Sequence, residues 1–167
     1  RASKSVTRRT QADRKASTIA LLLAAATDAL IELGYAGASV QQICQRAGVS
    51  QGGLFRHFPT RETLMVAVAA DASASVLASY RTTYAKKSRS ADALRLALSL
   101  LRAACRSRAN QAWYELALAA RTDTALRDAI APLAASYYDA IRTLARALLP
   151  DHAAALGAWV SAVPMEL

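Results

Sequence analysis

Ser39, Ser50, Thr60 and Arg61 are the side chains whose types and spacing point most directly to chemistry in this chain of 167 residues. Each of the three hydroxyls stands just before a segment of helical apolar periodicity, where a side-chain oxygen caps the unpaired N–H groups of a helix start. Such termini suit an anion, because free N–H groups and the helix dipole both favour negative charge. Arg61 follows one residue into a helix, a place for binding a backbone phosphate rather than for reading a base. The other reactive residue types form no constellation. His57 and His152 are distant and lack an acid–nucleophile partner, and the glycines spell neither GxGxxG nor GxxxxGK. Cys44 and Cys105 have no CxxC partner and no nearby histidine pair, so each reads as a small hydrophobe on the apolar register of a helix. No catalytic residue, no metal and no cofactor are expected.

The elements that position these residues are punctuated by glycine. Five of the six glycines (Gly34, Gly37, Gly48, Gly52 and Gly53) lie between positions 34 and 53, flanked by long Ala- and Leu-rich stretches. Glycine is unfavourable inside helices and useful at left-handed caps, so this cluster predicts short helices joined by tight turns. A first helix is expected over about 10–33, with Ile19, Leu22, Leu23, Ala26, Leu30 and Leu33 on its apolar side and Gly34 as its stop. Ser39 then caps a helix over 40–47, Gly48 ends it, and Ser50 caps a third over 51–57 anchored by Leu54 and Phe58. Pro59 stops the third and Thr60 caps a fourth, expected to reach Tyr84 ahead of a linker at 85–90. Helices over about 91–108 and 110–121 follow, with Asn110 between them. Thr122 or Asp123 caps a seventh, whose stripe Leu126, Ile130, Leu133, Tyr137, Ile141, Leu144 and Leu148 has helical spacing. Pro132 is expected to kink that helix or mark its start, and a last short helix spans about 151–163.

Composition agrees with an all-helical protein. Alanine accounts for 41 residues and apolar residues for 54%, while strand formers are sparse. The net charge of +9 suits an anionic partner such as nucleic acid. Residues 1–64 hold nine Lys and Arg against four Asp and Glu, and the charge is densest in the first fifteen residues. No uncharged run reaches the roughly 18 residues of a bilayer span, and RASKSVTRRT has no apolar core behind it, so the chain reads as cytoplasmic with no membrane partner. A short helix capped at Ser50 and pinned by Leu54 and Phe58 can enter a major groove while the preceding helix braces it across the backbone.

The segment GYAGASVQQICQRAGVSQGGLFRHFPTRETL closely resembles the DNA-binding segment of the TetR (tetracycline-repressor) family of bacterial regulators. The matching positions are Gly34-Tyr35, Ser39-Val40, Ile43-Cys44, Ala47-Gly48-Val49-Ser50, Phe55-Arg56-His57-Phe58 and Thr60-Arg61-Glu62-Thr63-Leu64. The resemblance covers about residues 8–66, including the basic stretch RRTQADRK. It implies an all-α fold with an N-terminal three-helix helix-turn-helix DNA-binding domain (1–66 here) and a C-terminal helical domain (67–167) that dimerises and holds an effector. It implies a ligand-responsive transcriptional repressor, nucleoid-associated when DNA-bound: a homodimer on a palindromic, double-stranded DNA operator, released by a small apolar or aromatic effector.

Carried over residue by residue, Gln51 is the expected base reader, since glutamine pairs with the adenine edge, and Gln42 is the second. Ser39, Ser50, Phe55 or His57, Thr60 and Arg61 are the implied phosphate contacts. Three positions depart from the family's habit. Gln51 stands where lysine or arginine is common, Gly53 removes a groove-facing side chain and with Gly52 loosens the helix, and Phe55 lacks the commoner tyrosine hydroxyl, for which Arg56 compensates. Trp113, Tyr137 and Tyr80 are the expected effector-pocket residues. Leu156, Trp159, Val160 and Val163 are the expected dimer contacts. The family usually ends in two helices packed across the dimer, so residues beyond Leu167 are expected. The alternative from another class is a helical protein–protein adaptor with a vestigial DNA-binding head; another is a basic membrane-surface protein.

Overall fold

The computed structural model describes residues 10–87 and 93–148, and these form seven α-helices with no strand among the described residues. Thr10 starts α1 (Gln11–Gly37) with a capping box: its hydroxyl accepts the Asp13 N–H and its own N–H donates to the Asp13 carboxylate. The bonds from the Thr10 hydroxyl and backbone hold the Asp13 carboxyl below the usual carboxylate range. α2 (Val40–Ala47) and α3 (Gln51–His57) have the expected bounds, and Gly48 turns between them at φ +64°, a left-handed conformation that needs glycine. α4 (Arg61–Lys87), α5 (Ala93–Cys105), α6 (Arg108–Ala120) and α7 (Thr124–Leu148) complete the order.

Several boundaries differ from expectation for local reasons. Gly34 leaves the helical region at φ +69°, as expected of a stop, and one further turn across that kink carries the element on to Gly37. α4 runs past Tyr84 into the expected linker. Asn110 does not separate two helices: Ser107 caps α6 by accepting the Asn110 N–H at 3.2 Å, and Asn110 lies buried in the first turn. Asp123 is the cap of α7, accepting the Leu126 N–H at 2.9 Å. Pro132 neither starts nor ends α7; it occupies an exposed position inside it. The basic arm at 1–9, His152 and the final helix with Leu156, Trp159, Val160 and Val163 lie outside the described residues.

One continuous core runs from the head into the C-terminal helices. Leu22, Ala26 and Leu30 of α1 meet Ile43 of α2, Leu54 of α3, Leu64, Met65 and Val68 of α4, Trp113 and Leu116 of α6, and Leu126 and Ile130 of α7. Small residues on α1 (Ala25, Ala26, Ala29) are buried where α1 packs on α2, α4 and α6. α1 and α4 are long and apolar enough to cross a bilayer by length and composition, and here their buried residues supply this shared core. A second cluster, Val76, Tyr80 and Ala104, lies farther along α4 and α5. Cys44 fills a core position, and burial pushes its thiol up. Cys105, expected on an apolar register, is exposed instead.

Leu30 is fully buried in the shared core. Leu30→Ala is expected to cost about 2–5 kcal/mol and to lower the urea midpoint of one transition, read by circular dichroism. Two separate transitions, only one of them shifted, would show instead that the head has a core of its own.

Candidate nucleic-acid interface

The head is built from caps outward. The Ser39 hydroxyl accepts the Gln42 N–H at 3.2 Å, and the Ser50 hydroxyl accepts the Gly53 N–H at 3.1 Å. Thr60 and Thr63 cap reciprocally: each hydroxyl accepts the other's backbone N–H, at 3.2 and 3.1 Å. A hydroxyl that accepts a cap bond keeps its own O–H to donate, so the exposed Ser39 and Ser50 can each still meet a phosphate oxygen. Leu54 and Phe58 bury the inner side of α3, which leaves Gln51, Gly52, Phe55 and Arg56 exposed on its outer side. Gln42 and Thr60 are exposed as well, while Gly53, His57 and Arg61 are partly covered.

Two residues make contacts inside the protein that their sequence positions did not suggest. A Cβ on Gly53 would lie 2.9 Å from Val49 Cγ1 and 3.3 Å from the Ser50 hydroxyl oxygen, so this glycine admits the cap rather than thinning the groove face. Gly52 is the open position, with nothing within 4 Å of an added Cβ. The Arg61 guanidinium lies 4.1 Å over the Tyr35 ring, donates from Nε to the Ala38 carbonyl at 3.1 Å, and donates from Nη2 to the Tyr35 carbonyl. Arg61 therefore clamps the corner between α1 and α2 through Nε, Nη2 and its stack on Tyr35. Tyr35 in turn donates its hydroxyl to Asp123 at 3.2 Å, and burial is the main cause that raises its pKa.

Beside α3 lies a basic groove that joins its end to the start of α1. Gln11, Arg14, Lys15 and Thr18 line one side, Arg56 and His57 the other. The His57 Nδ1 is buried without a partner, so Nε2 is the nitrogen left to meet an anion. The N-terminal charge density hinted at Arg14 and Lys15, but their meeting with α3 is a tertiary fact.

The expected effector residues also converge. Tyr80, Trp113 and Tyr137 line one cavity, together with Asn110, Tyr138 and Ile141. The Trp113 and Tyr137 ring centroids are 5.4 Å apart, and those of Tyr137 and Tyr138 are 5.6 Å apart. Burial raises the phenol pKa values of Tyr80 and Tyr137, which keeps both neutral. Among the described residues no group of three or more His, Cys, Asp or Glu could hold a metal ion.

A short-helix reading head with an exposed polar face, set on a helical body, defines a helix-turn-helix DNA-binding regulator. Residues 22–68 match the family of bacterial regulatory proteins, tetR family. The chain is 41% identical over 140 residues to the uncharacterized HTH-type transcriptional regulator Rv2912c of Mycobacterium tuberculosis, covering 84% of this chain and 72% of that one. It is 47% identical over 60 residues to the HTH-type transcriptional regulator CymR of Pseudomonas putida, covering 36% of this chain and 30% of that one. The crystal structure of a transcriptional regulator from Rhodococcus sp. Rha1 superposes with a TM-score of 0.67 at 25% identity, covering 86% of this chain and 78% of that one. The chain belongs to the tetR family of bacterial regulators, and it is a DNA-binding transcriptional regulator.

The two glycines of α3 should respond oppositely to alanine. Gly52→Ala is expected to raise stability by about 0.5–1 kcal/mol through helix propensity, whereas Gly53→Ala lowers it by displacing Val49 or the Ser50 cap. Thermal melts of the two variants check this, and equal shifts would remove the distinction. At the corner, Arg61→Lys should lower the melting temperature nearly as much as Arg61→Ala, because an ammonium cannot both fork to two carbonyls and stack on Tyr35. A lysine variant with unchanged stability and weakened DNA binding would return Arg61 to the phosphate role.

Proposed function

We propose that this regulator is a homodimeric repressor whose two α3 helices enter successive major grooves of a near-palindromic operator. In this reading Gln51 pairs with an adenine edge and Gln42 adds a second base contact. Ser39, Ser50, Thr60, Arg56 and His57 meet phosphates, Phe55 packs on the backbone, and Gly52 allows close approach. The observation that carries the proposal is the division of α3: Leu54 and Phe58 are buried while the side holding Gln51 and Arg56 is exposed. The groove holding Arg14, Lys15 and Arg56 adds positive charge along the same helix.

The proposal includes an effector and a dimer. A small apolar or aromatic molecule would occupy the cavity at Tyr80, Trp113 and Tyr137 and lower operator affinity by shifting the population between two arrangements of the heads. The dimer would form through the C-terminal residues Leu156, Trp159, Val160 and Val163, and the repressor would act in the bacterial cytoplasm, on the nucleoid.

Footprinting upstream of the regulated promoter should show two protected half-sites about one helical turn apart. Gln51→Ala is expected to weaken the operator selectively, by about 1–3 kcal/mol, while Lys15→Ala weakens operator and random DNA alike and reduces the salt slope by about one. Equal losses on both DNAs for both variants would contradict the assignment.

A further inference from the structure

Tyr35 and Asp123 are 88 residues apart in the chain, and the Tyr35 hydroxyl donates to Asp123 Oδ2 at 3.2 Å. Neither end of this bond has much freedom. Asp123 uses its other oxygen, Oδ1, to accept the Leu126 N–H at 2.9 Å, which caps α7. The Thr122 and Asp123 N–H groups both donate to the Ala119 carbonyl, at 3.1 and 3.0 Å, so the turn out of α6 is closed as well. Tyr35 is held from the opposite side, where Arg61 stacks on its ring at 4.1 Å and donates to its carbonyl. Burial, first among the causes that raise the Tyr35 pKa, keeps the hydroxyl a donor at neutral pH.

The bond joins two places that matter for DNA binding. Tyr35 follows the kink at Gly34 and precedes the Ser39 cap, so it lies where α1 gives way to the short helices of the head. α6 lies against the same kink, since a Cβ on Gly34 would be 3.6 Å from the Glu115 carboxylate. Arg108 with Asp28 also ties α6 to α1, but that pair is exposed and meets α1 upstream of the kink, away from the corner. Exposed ion pairs are weak, whereas a hydroxyl donating to a carboxylate in a part-buried setting is among the stronger hydrogen bonds. Beyond the cap, Leu126 and Ile130 are fully buried in the shared core, so a displacement of α7 carries Asp123 with it.

We infer that Tyr35 and Asp123 are positioning residues for DNA binding: their hydrogen bond latches the first turn of α7 to the corner that seats α2 and α3, and the latched head presents α3 at the angle a specific duplex requires. The inference needs only that the chain binds DNA. It does not depend on Gln51 reading a base or on what occupies the aromatic cavity. Because coupling between two sites is reciprocal, DNA on the head must also steady the cap of α7.

Two variants break the latch while sparing the local structure at each end. Tyr35→Phe keeps the ring under Arg61, and Asp123→Ser keeps a cap for α7 on a side chain too short to serve Tyr35 as well. Each should weaken binding to a duplex that the unchanged protein selects from random sequence by roughly tenfold, an ordinary size for coupling between sites. Binding to unselected DNA rests on phosphate contacts and should not change. The double variant should lose no more than either single variant, because both changes remove the same bond. Hydrogen exchange supplies a second readout: the selected duplex should slow the Leu126 and Arg127 amides several-fold in the unchanged protein and not in Tyr35→Phe. The inference is overturned if the losses add in the double variant, if Tyr35→Phe binds the selected duplex with full affinity, or if it loses equally on selected and unselected DNA. Leu126 and Arg127 amides that ignore DNA in the unchanged protein would overturn it too.

Discussion

The Arg61 guanidinium stacked on Tyr35 and bonded to the carbonyls of Tyr35 and Ala38 is the interaction on which the reading head depends. α2 and α3 have eight and seven residues, too few to hold helical structure alone. Their placement comes from what is fixed on either side. α1 breaks at Gly34, and the chain must turn through Ala38 before Ser39 can cap α2. Arg61, the first residue of α4, closes that corner from the far side of the head. The two short helices are thereby held between the ends of two long ones, and Ile43, Leu54 and Phe58 lock them onto the core those long helices supply.

The same corner touches the rest of the molecule. Tyr35 reaches Asp123, and Asp123 caps α7. α7 then carries Leu126 and Ile130 into the shared core and Tyr137 into the aromatic cavity. A single helix thus has one end hydrogen-bonded to the head and its middle at the candidate effector site. Interiors packed this closely do not deform continuously, so a shift of α7 would be felt at Tyr35. Paired charges add to the attachment: Arg46 of α2 meets Glu32 of α1 at 2.7 Å, and Arg108 of α6 meets Asp28 of α1. Being exposed in part, these pairs orient the elements more than they stabilise them.

Local chemistry was the legible part of the sequence. Ser39 and Ser50 cap the helices that their positions predict, and of Thr122 and Asp123 it is Asp123 that caps α7, because a cap bond reaches only two or three residues along the chain. Gly48 adopts the left-handed turn for the same reason. Where an assignment depended on a neighbour distant in sequence, it shifted. Arg61 found two carbonyls more than twenty residues upstream. Gly53 is a nearer case: an added Cβ would crowd Val49 and Ser50, four and three residues back, through the shape of the turn rather than through spacing. Asn110 looked like a break between helices, and its burial against the aromatic cavity has no periodic signal.

The all-helical class, the order of short and long helices, the caps of the reading head and the family were determined by the sequence alone, because propensity, periodicity and capping act over one or two turns. Tertiary structure decided which charged groups are free and which are engaged inside the protein. It joined Arg14 and Lys15 to Arg56 and His57 in one groove, and it brought Tyr80, Asn110, Trp113 and Tyr137 around one cavity. Those groupings depend on how α1, α4, α6 and α7 cross, and the crossings follow from packing of the shared core, which no local spacing encodes.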